Sequence, residues 1–194
     1  MIVDGGRPRR SSDLSPSDKP RAPRRRSIGA GTLNRSTNTL DPQQIELIGR
    51  NLLVGELLRD RLEVARPERD RGIDLIAYLD MDEAGGAFVA VPIQLKAFTR
   101  AGFSIDRKYE RFPGLLIAYL WGVMEASQLE AFCLTYREAM GVGDKMGWTG
   151  TESWRRGSYV TNQPSAKLRT QLEPYRMAPG RWADKARELA STKS

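Results

Sequence analysis

The chain has 194 residues, 40% hydrophobic and 28% charged, the composition of a soluble protein with one well-filled core. It contains no histidine and a single cysteine, Cys133, which excludes histidine-based triads, histidine nucleophiles, histidine or cysteine zinc sites and internal disulfides. The net charge of +7 is concentrated, since residues 1–40 hold nine basic and three acidic side chains and the remainder is almost neutral. Catalysis, if any, falls to carboxylates, lysine, hydroxyls and a hard metal held through oxygen. No apolar run approaches the length of a membrane span, and the N-terminus lacks the apolar segment of a signal peptide. The cytoplasm is the expected compartment.

Residues 1–40 are rich in Arg, Ser, Pro and Gly and hold few large apolar side chains, so a disordered basic tail is expected. Its Arg24-Arg25-Arg26 run would touch phosphate backbones non-specifically or simply be solvated. Asp41-Pro42-Gln43-Gln44 is a helix start with an N-cap acid, proline at N1 and glutamine at N3. The helix runs to about Arg59, with Ile45, Ile48, Gly49, Leu52, Leu53 and Glu56 on one stripe. Gly49 lets that helix approach a neighbour closely. Glu56 is a carboxylate on the face that should meet the sheet, either snorkelling into solvent from the edge of the stripe or standing beside Asp74 and Lys96 as a second metal-associated carboxylate.

Leu62-Glu63-Val64-Ala65 reads as a short strand. Two longer segments follow, Gly72 to Leu79 and Ala87 to Lys96, joined by Asp80-Met81-Asp82-Glu83-Ala84-Gly85-Gly86 as a turn. In the second, Val89, Val91, Ile93 and Leu95 alternate with Phe88, Ala90, Pro92, Gln94 and Lys96, which is the period of a strand. The pair predicts a hairpin that gathers Asp74, Gln94 and Lys96 on one sheet face. A connecting segment from Phe98 to Arg111 carries Lys108 and Tyr109, either a phosphate contact or an ordinary surface loop. Leu115 to Trp121 is the apolar run of a buried central strand, and Ala131 to Tyr136 is another strand. Helices are predicted over Arg137–Met146, Pro164–Tyr175 and Arg181–Leu189. Residues 147–163 read as a long loop in which Trp148, Trp154 and Tyr159 interleave with Arg155 and Arg156. Such a loop would grip a nucleic acid or cover a small core. The expected organisation is a tail over 1–40, a folded domain over 41–176 and a C-terminal helix and tail over 177–194.

Asp74, Gln94 and Lys96 form a constellation suited to phosphodiester chemistry with a divalent metal. A carboxylate suits Mg²⁺, a strand sets residues i and i+2 side by side, and a lysine can address an attacking water or a phosphate. Ordinary polar decoration of an edge strand would use the same residues.

The order of helix, strand, strand with Asp74, strand ending in Gln94-Leu95-Lys96, and further strands and helix resembles the PD-(D/E)XK nuclease superfamily. The likeness spans Asp41 to about Tyr136. In detail it is similar to the branch of group I intron-associated endonucleases and related bacterial domains whose last motif carries glutamine. Gly55-Glu56-Leu57-Leu58 resembles the first-helix motif, and Gly72-Ile73-Asp74-Leu75 resembles the metal-binding motif without its proline. The resemblance implies an α/β fold with a restriction-endonuclease-like αβββαβ core, a central mixed sheet flanked by helices. It implies a DNA endonuclease using Mg²⁺, or Mn²⁺ in its place, on duplex or branched DNA; many nucleases of this fold cut as a homodimer, and nothing in the sequence identifies a dimer face. Glu56, Asp74, Gln94 and Lys96 would be the catalytic set, the first three around the metal. Lys108, Tyr109, Arg155 and Arg156 would contact the nucleic acid. Gln94 in place of an acid removes one negative charge, so the alternative is a catalytically silent copy used for DNA binding or protein assembly.

Overall fold

A computed structural model describes residues 40–69, 71–79 and 88–191. Residues 1–39 and 80–87 lie outside the described residues, and with them the expected turn over 80–86 and nearly all of the expected disordered tail over 1–40.

The first helix, α1 (Pro42–Arg59), starts as its sequence dictates. Gln44 N–H donates to Asp41 Oδ1 (2.9 Å) and Asp41 N–H donates to Gln44 Oε1 (3.0 Å), which closes the capping box. Its buried stripe is Gly49, Leu53 and Leu57, with Ile45, Ile48 and Leu52 half-buried beside it. Four strands follow: β1 (Leu62–Ala65), β2 (Leu75–Leu79), β3 (Ala90–Phe98) and β4 (Phe103–Asp106). A one-turn 3-10 helix over Arg107–Tyr109 leads to β5 (Leu116–Trp121) and β6 (Glu130–Thr135). The remaining elements are α2 (Tyr136–Met146), α3 (Glu152–Arg155), β7 (Ser158–Thr161), α4 (Ala166–Leu172) and α5 (Arg181–Ser191).

The main sheet has the order β1-β2-β3-β5-β6 and is mixed. Only β3 and β5 run parallel; the other neighbours are antiparallel. The hairpin register sets Leu75 opposite Ile93 and Ala77 opposite Val91, so the alternating apolar residues share one face. Between the parallel strands the chain crosses through β4 and the 3-10 turn instead of a full helix. β4 then pairs with β7 in a separate two-stranded sheet.

The sheet carries a core on each face. On one side α1 and α5 cover Leu75, Ala77, Val91, Ile93, Leu95 and Ala118, with Trp182 and Ala186 of α5 among them. On the other, Ile117, Tyr119, Trp121 and Phe132 pack with Phe103, Trp148, Trp154, Leu168 and Leu172. Phe103 stacks on Tyr119 with ring centroids 4.4 Å apart, which fastens the small sheet to the large one. β5 is buried along its whole length, as a central strand covered on both sides must be.

One expectation changes. Residues 147–163 are an ordered 3-10 turn, α3 and β7 instead of a loop. The reason is that Trp148 and Trp154 turn inward and Trp148 stacks on Tyr159 at 4.5 Å, so the segment is a core wall despite its polar composition. The C-terminal helix packs Trp182, Ala183 and Ala186 into the core. Asp60, at the end of α1, accepts from Gly180 N–H (2.6 Å) and Trp182 N–H (2.8 Å), which holds the start of α5 in place. Among the described residues no helix is long and apolar enough to cross a membrane.

Candidate active site

The site arises from a mismatch in strand length. β2 begins at Leu75, opposite Ile93, whereas β3 continues to Phe98 with β5 as its partner on the other side. From Gln94 onward the β2-side edge of β3 is therefore open. Asp74 stands where β2 would have continued, its N–H donating to Ile93 O (2.9 Å). Its Oδ2 accepts the Leu95 N–H at 2.6 Å, so a carboxylate oxygen does the work of a strand carbonyl. Gln94 Nε2 donates both to Asp74 Oδ2 and to Leu95 O, the latter at 3.1 Å. Asp74 and Gln94 are both buried, at 8% exposure.

Lys96, two residues along the same strand face, is half-buried, with Nζ 5.4 Å from the centre of the Tyr109 ring. Lys108 Nζ stands 4.9 Å from the same centre and 3.4 Å from Asp106 Oδ2. Burial pulls the Lys108 ammonium down, but Tyr109 and Asp106 together outweigh it and hold its pKa above the ordinary lysine value. Gly72 completes the wall. Its φ of +91° is a conformation that favours glycine, and the position of an added Cβ lies 3.8 Å from Gln94 Oε1.

These groups line one cleft of about 510 Å³ together with Pro42, Glu46, Leu95, Ser104 and Val160. The hairpin thus brings Asp74, Gln94 and Lys96 together, as their alternation predicts. Glu56 does not join them. It lies outside the lining and is bound to Arg59 Nη1 at 2.6 Å. Ten residues separate Glu46 from Glu56, roughly 15 Å along a helix axis. The turn of α1 that crosses the end of β3 is fixed by Gly49, where an added Cβ would lie 2.5 Å from Ala97 Cβ. Glu46 is one turn before that crossing and overhangs the cleft, its carboxylate paired with Arg50. Its sequence signal was the spacing of three from Gly49, the residue that the close approach requires.

The expected nucleic-acid contacts divide. Lys108 lines the cleft with its side chain 51% exposed, and Tyr109 lines it from within the core, at 2% exposure. The Tyr109 ring is therefore unavailable for stacking on a base. Arg155 and Arg156 are exposed, face Glu152 at 3.5 and 3.6 Å, and are not among the residues lining the cleft.

The donors around the cleft are hard oxygens: the carboxylates of Asp74 and Glu46, the Leu95 carbonyl on the open edge and the Gln94 amide. That set fits a magnesium-like ion better than a soft metal. Among the described residues no three His, Cys, Asp or Glu side chains cluster as metal ligands. The Gln94 NH₂ occupies the place between Asp74 Oδ2 and Leu95 O, so its oxygen faces the pair only when the amide is turned over.

The sequence matches no protein-family model and no curated protein. Among solved structures, the chain is similar to the bacterial homing endonuclease I-Ssp6803I, with a TM-score of 0.46 and 15% identity. The match covers 80% of this chain and 98% of that one.

Proposed function

We propose that this chain is a metal-dependent DNA endonuclease that hydrolyses phosphodiester bonds with an activated water, in the manner its resemblance to PD-(D/E)XK nucleases implies. One observation carries the reading: Asp74 just before β2, Gln94 and Lys96 of β3, and Glu46 of α1 line a single open cleft. Asp74, with Glu46 in place of Glu56, would hold Mg²⁺ alongside the Leu95 carbonyl and a turned Gln94 amide. Bound there, the ion would lower the pKa of an attacking water and offset the charge gathering on the phosphate.

The protein's own residues supply orientation. The Leu95 N–H fixes Asp74, so the carboxylate is set before a ligand arrives. Lys96, held over the Tyr109 ring, directs an ammonium into the cleft to position the water or neutralise the developing negative charge. Lys108 at the mouth adds a second positive charge for the backbone. The buried Gln94–Asp74 hydrogen bond favours the second reading, a silent nuclease fold that binds DNA, because it closes the site with a neutral amide.

Supercoiled plasmid incubated with Mg²⁺, Mn²⁺ or EDTA separates these readings. The expected result is metal-dependent nicking by the wild type that falls by at least ~10²-fold in Lys96→Ala. Wild-type protein that binds no Mn²⁺ by calorimetry and cuts nothing would establish the silent fold instead.

A further inference from the structure

Among the described residues, buried polar side chains are satisfied almost throughout. Tyr119 OH donates to Ser104 O at 2.6 Å, and Trp121 Nε1 donates to Gly102 O at 2.6 Å. Tyr109 is the exception within the cleft. Tyr109 is 2% exposed, and its hydroxyl proton finds no acceptor among the described residues, because the neighbouring Lys108 ammonium can only donate to it. A phenol in a core normally finds a partner, because a buried O–H without one loses its hydration for nothing.

The neighbours of Tyr109 indicate what the partner is. Two ammonium groups, Lys96 Nζ and Lys108 Nζ, converge on this one ring, at 5.4 and 4.9 Å from its centre. Only Lys108 has a carboxylate partner among the described ion pairs, Asp106. Two like charges on one ring repel, and an anion between them relieves the repulsion. An anion also supplies the acceptor that the hydroxyl lacks. Asp74 and Gln94 are in the same cleft, so the anion would sit against the proposed metal donors.

We propose that Tyr109 binds the scissile phosphate, its hydroxyl donating a hydrogen bond to a non-bridging oxygen held between Lys96 and Lys108. The proposal rests on the nuclease reading and adds a neutral donor to it. Lys108, whose side chain is 51% exposed on a flexible stem, moves off the ring as the phosphate enters. The role of Tyr109 thereby lies in its hydroxyl, not in base stacking by its ring.

Tyr109→Phe tests this, because it keeps the ring, its packing and its cation contacts and removes only the oxygen. Three readouts are compared with wild type in the full chain. These are melting temperature without nucleic acid, affinity for a fluorescent duplex in Ca²⁺, and single-turnover nicking of plasmid in Mn²⁺. The expected pattern is opposed: the variant melts about 2–4 °C higher, since an unsatisfied hydroxyl is gone. It also binds the duplex more weakly and nicks about 10²-fold more slowly. Lys108→Gln weakens duplex binding as well. A Tyr109→Phe protein that binds and cuts like wild type overturns the assignment of Tyr109 alone. A variant that melts lower shows that the hydroxyl already has a partner inside the protein, and overturns it too. Wild-type protein that neither binds nor cuts removes the nuclease reading, and this inference with it.

Discussion

Asp74 does two jobs with one carboxylate. It completes the hydrogen bonding of an edge that β2 leaves open, and it presents negative charge to the cleft. The first job means that its removal exposes a buried Leu95 N–H, so an alanine variant loses stability as well as charge. Glu46 has no such structural burden beyond its pairing with Arg50 on the same helix, and it is exposed. The comparison of Glu46→Gln with Glu56→Gln is therefore clean. Glu46→Gln is expected to weaken Mn²⁺ binding by calorimetry and slow plasmid nicking by at least ~10-fold. Glu56→Gln removes an ion pair with an exposed arginine and is expected to leave both within about twofold. Equal effects of the two variants would remove Glu46 from the site.

At the scale of elements, the site depends on where α1 crosses β3. Gly49 sets that crossing, and an added Cβ there would lie 2.5 Å from the Ala97 Cβ, a separation that real Cβ atoms do not tolerate. Alanine would be worth up to about 1 kcal/mol over glycine in a helix interior. Overpacking against a rigid neighbour costs about 1–3 kcal/mol, and this contact belongs at the upper end. Gly49→Ala is therefore expected to lose about 2 kcal/mol by urea unfolding and, by lifting the first turns of α1, to weaken Mn²⁺ binding through Glu46. An unchanged unfolding midpoint would show that α1 can slide without cost.

At the scale of the molecule, α5 ties together elements distant in sequence. Its N-terminus is held by Asp60 at the end of α1, and its Lys185 Nζ donates to Glu138 Oε1 at 2.8 Å on α2. Glu138 also accepts from Thr135 N–H at 2.7 Å as the capping box of α2. Desolvation pushes its pKa up, but the hydrogen bonds from Lys185 and Thr135 prevail and hold it below the ordinary glutamate value of 4.5. A depressed carboxylate contributes stability that is present above the unfolded-state pKa and lost as pH falls through the folded one. The wild type is thus expected to exceed Glu138→Gln in urea midpoint at neutral pH, with the gap closing below about pH 4. A gap that stays constant on acidification would assign the effect to packing.

Hydrophobic alternation and capping chemistry are local, and they fix much of this protein from the sequence alone. Asp41-Pro42-x-Gln44 starts α1, the alternation of Val91, Ile93 and Leu95 places Gln94 and Lys96 on one face, and the run to Trp121 makes a central strand. The grouping of Asp74 with Gln94 and Lys96 follows, because hairpin register is set by the same period. Helix phase and distance along an axis are different. Both Glu46 and Glu56 are acids on α1, and only the contact of Gly49 with Ala97 decides which one reaches the cleft. The tryptophans of residues 147–163 likewise resemble a surface loop until β4 and β7 pair and turn them inward. Tyr109 sits among basic residues in the chain, and its burial between two lysines arises from the crossover through β4. The tertiary structure decided these points because each depends on contacts between segments far apart in sequence, which no local periodicity encodes.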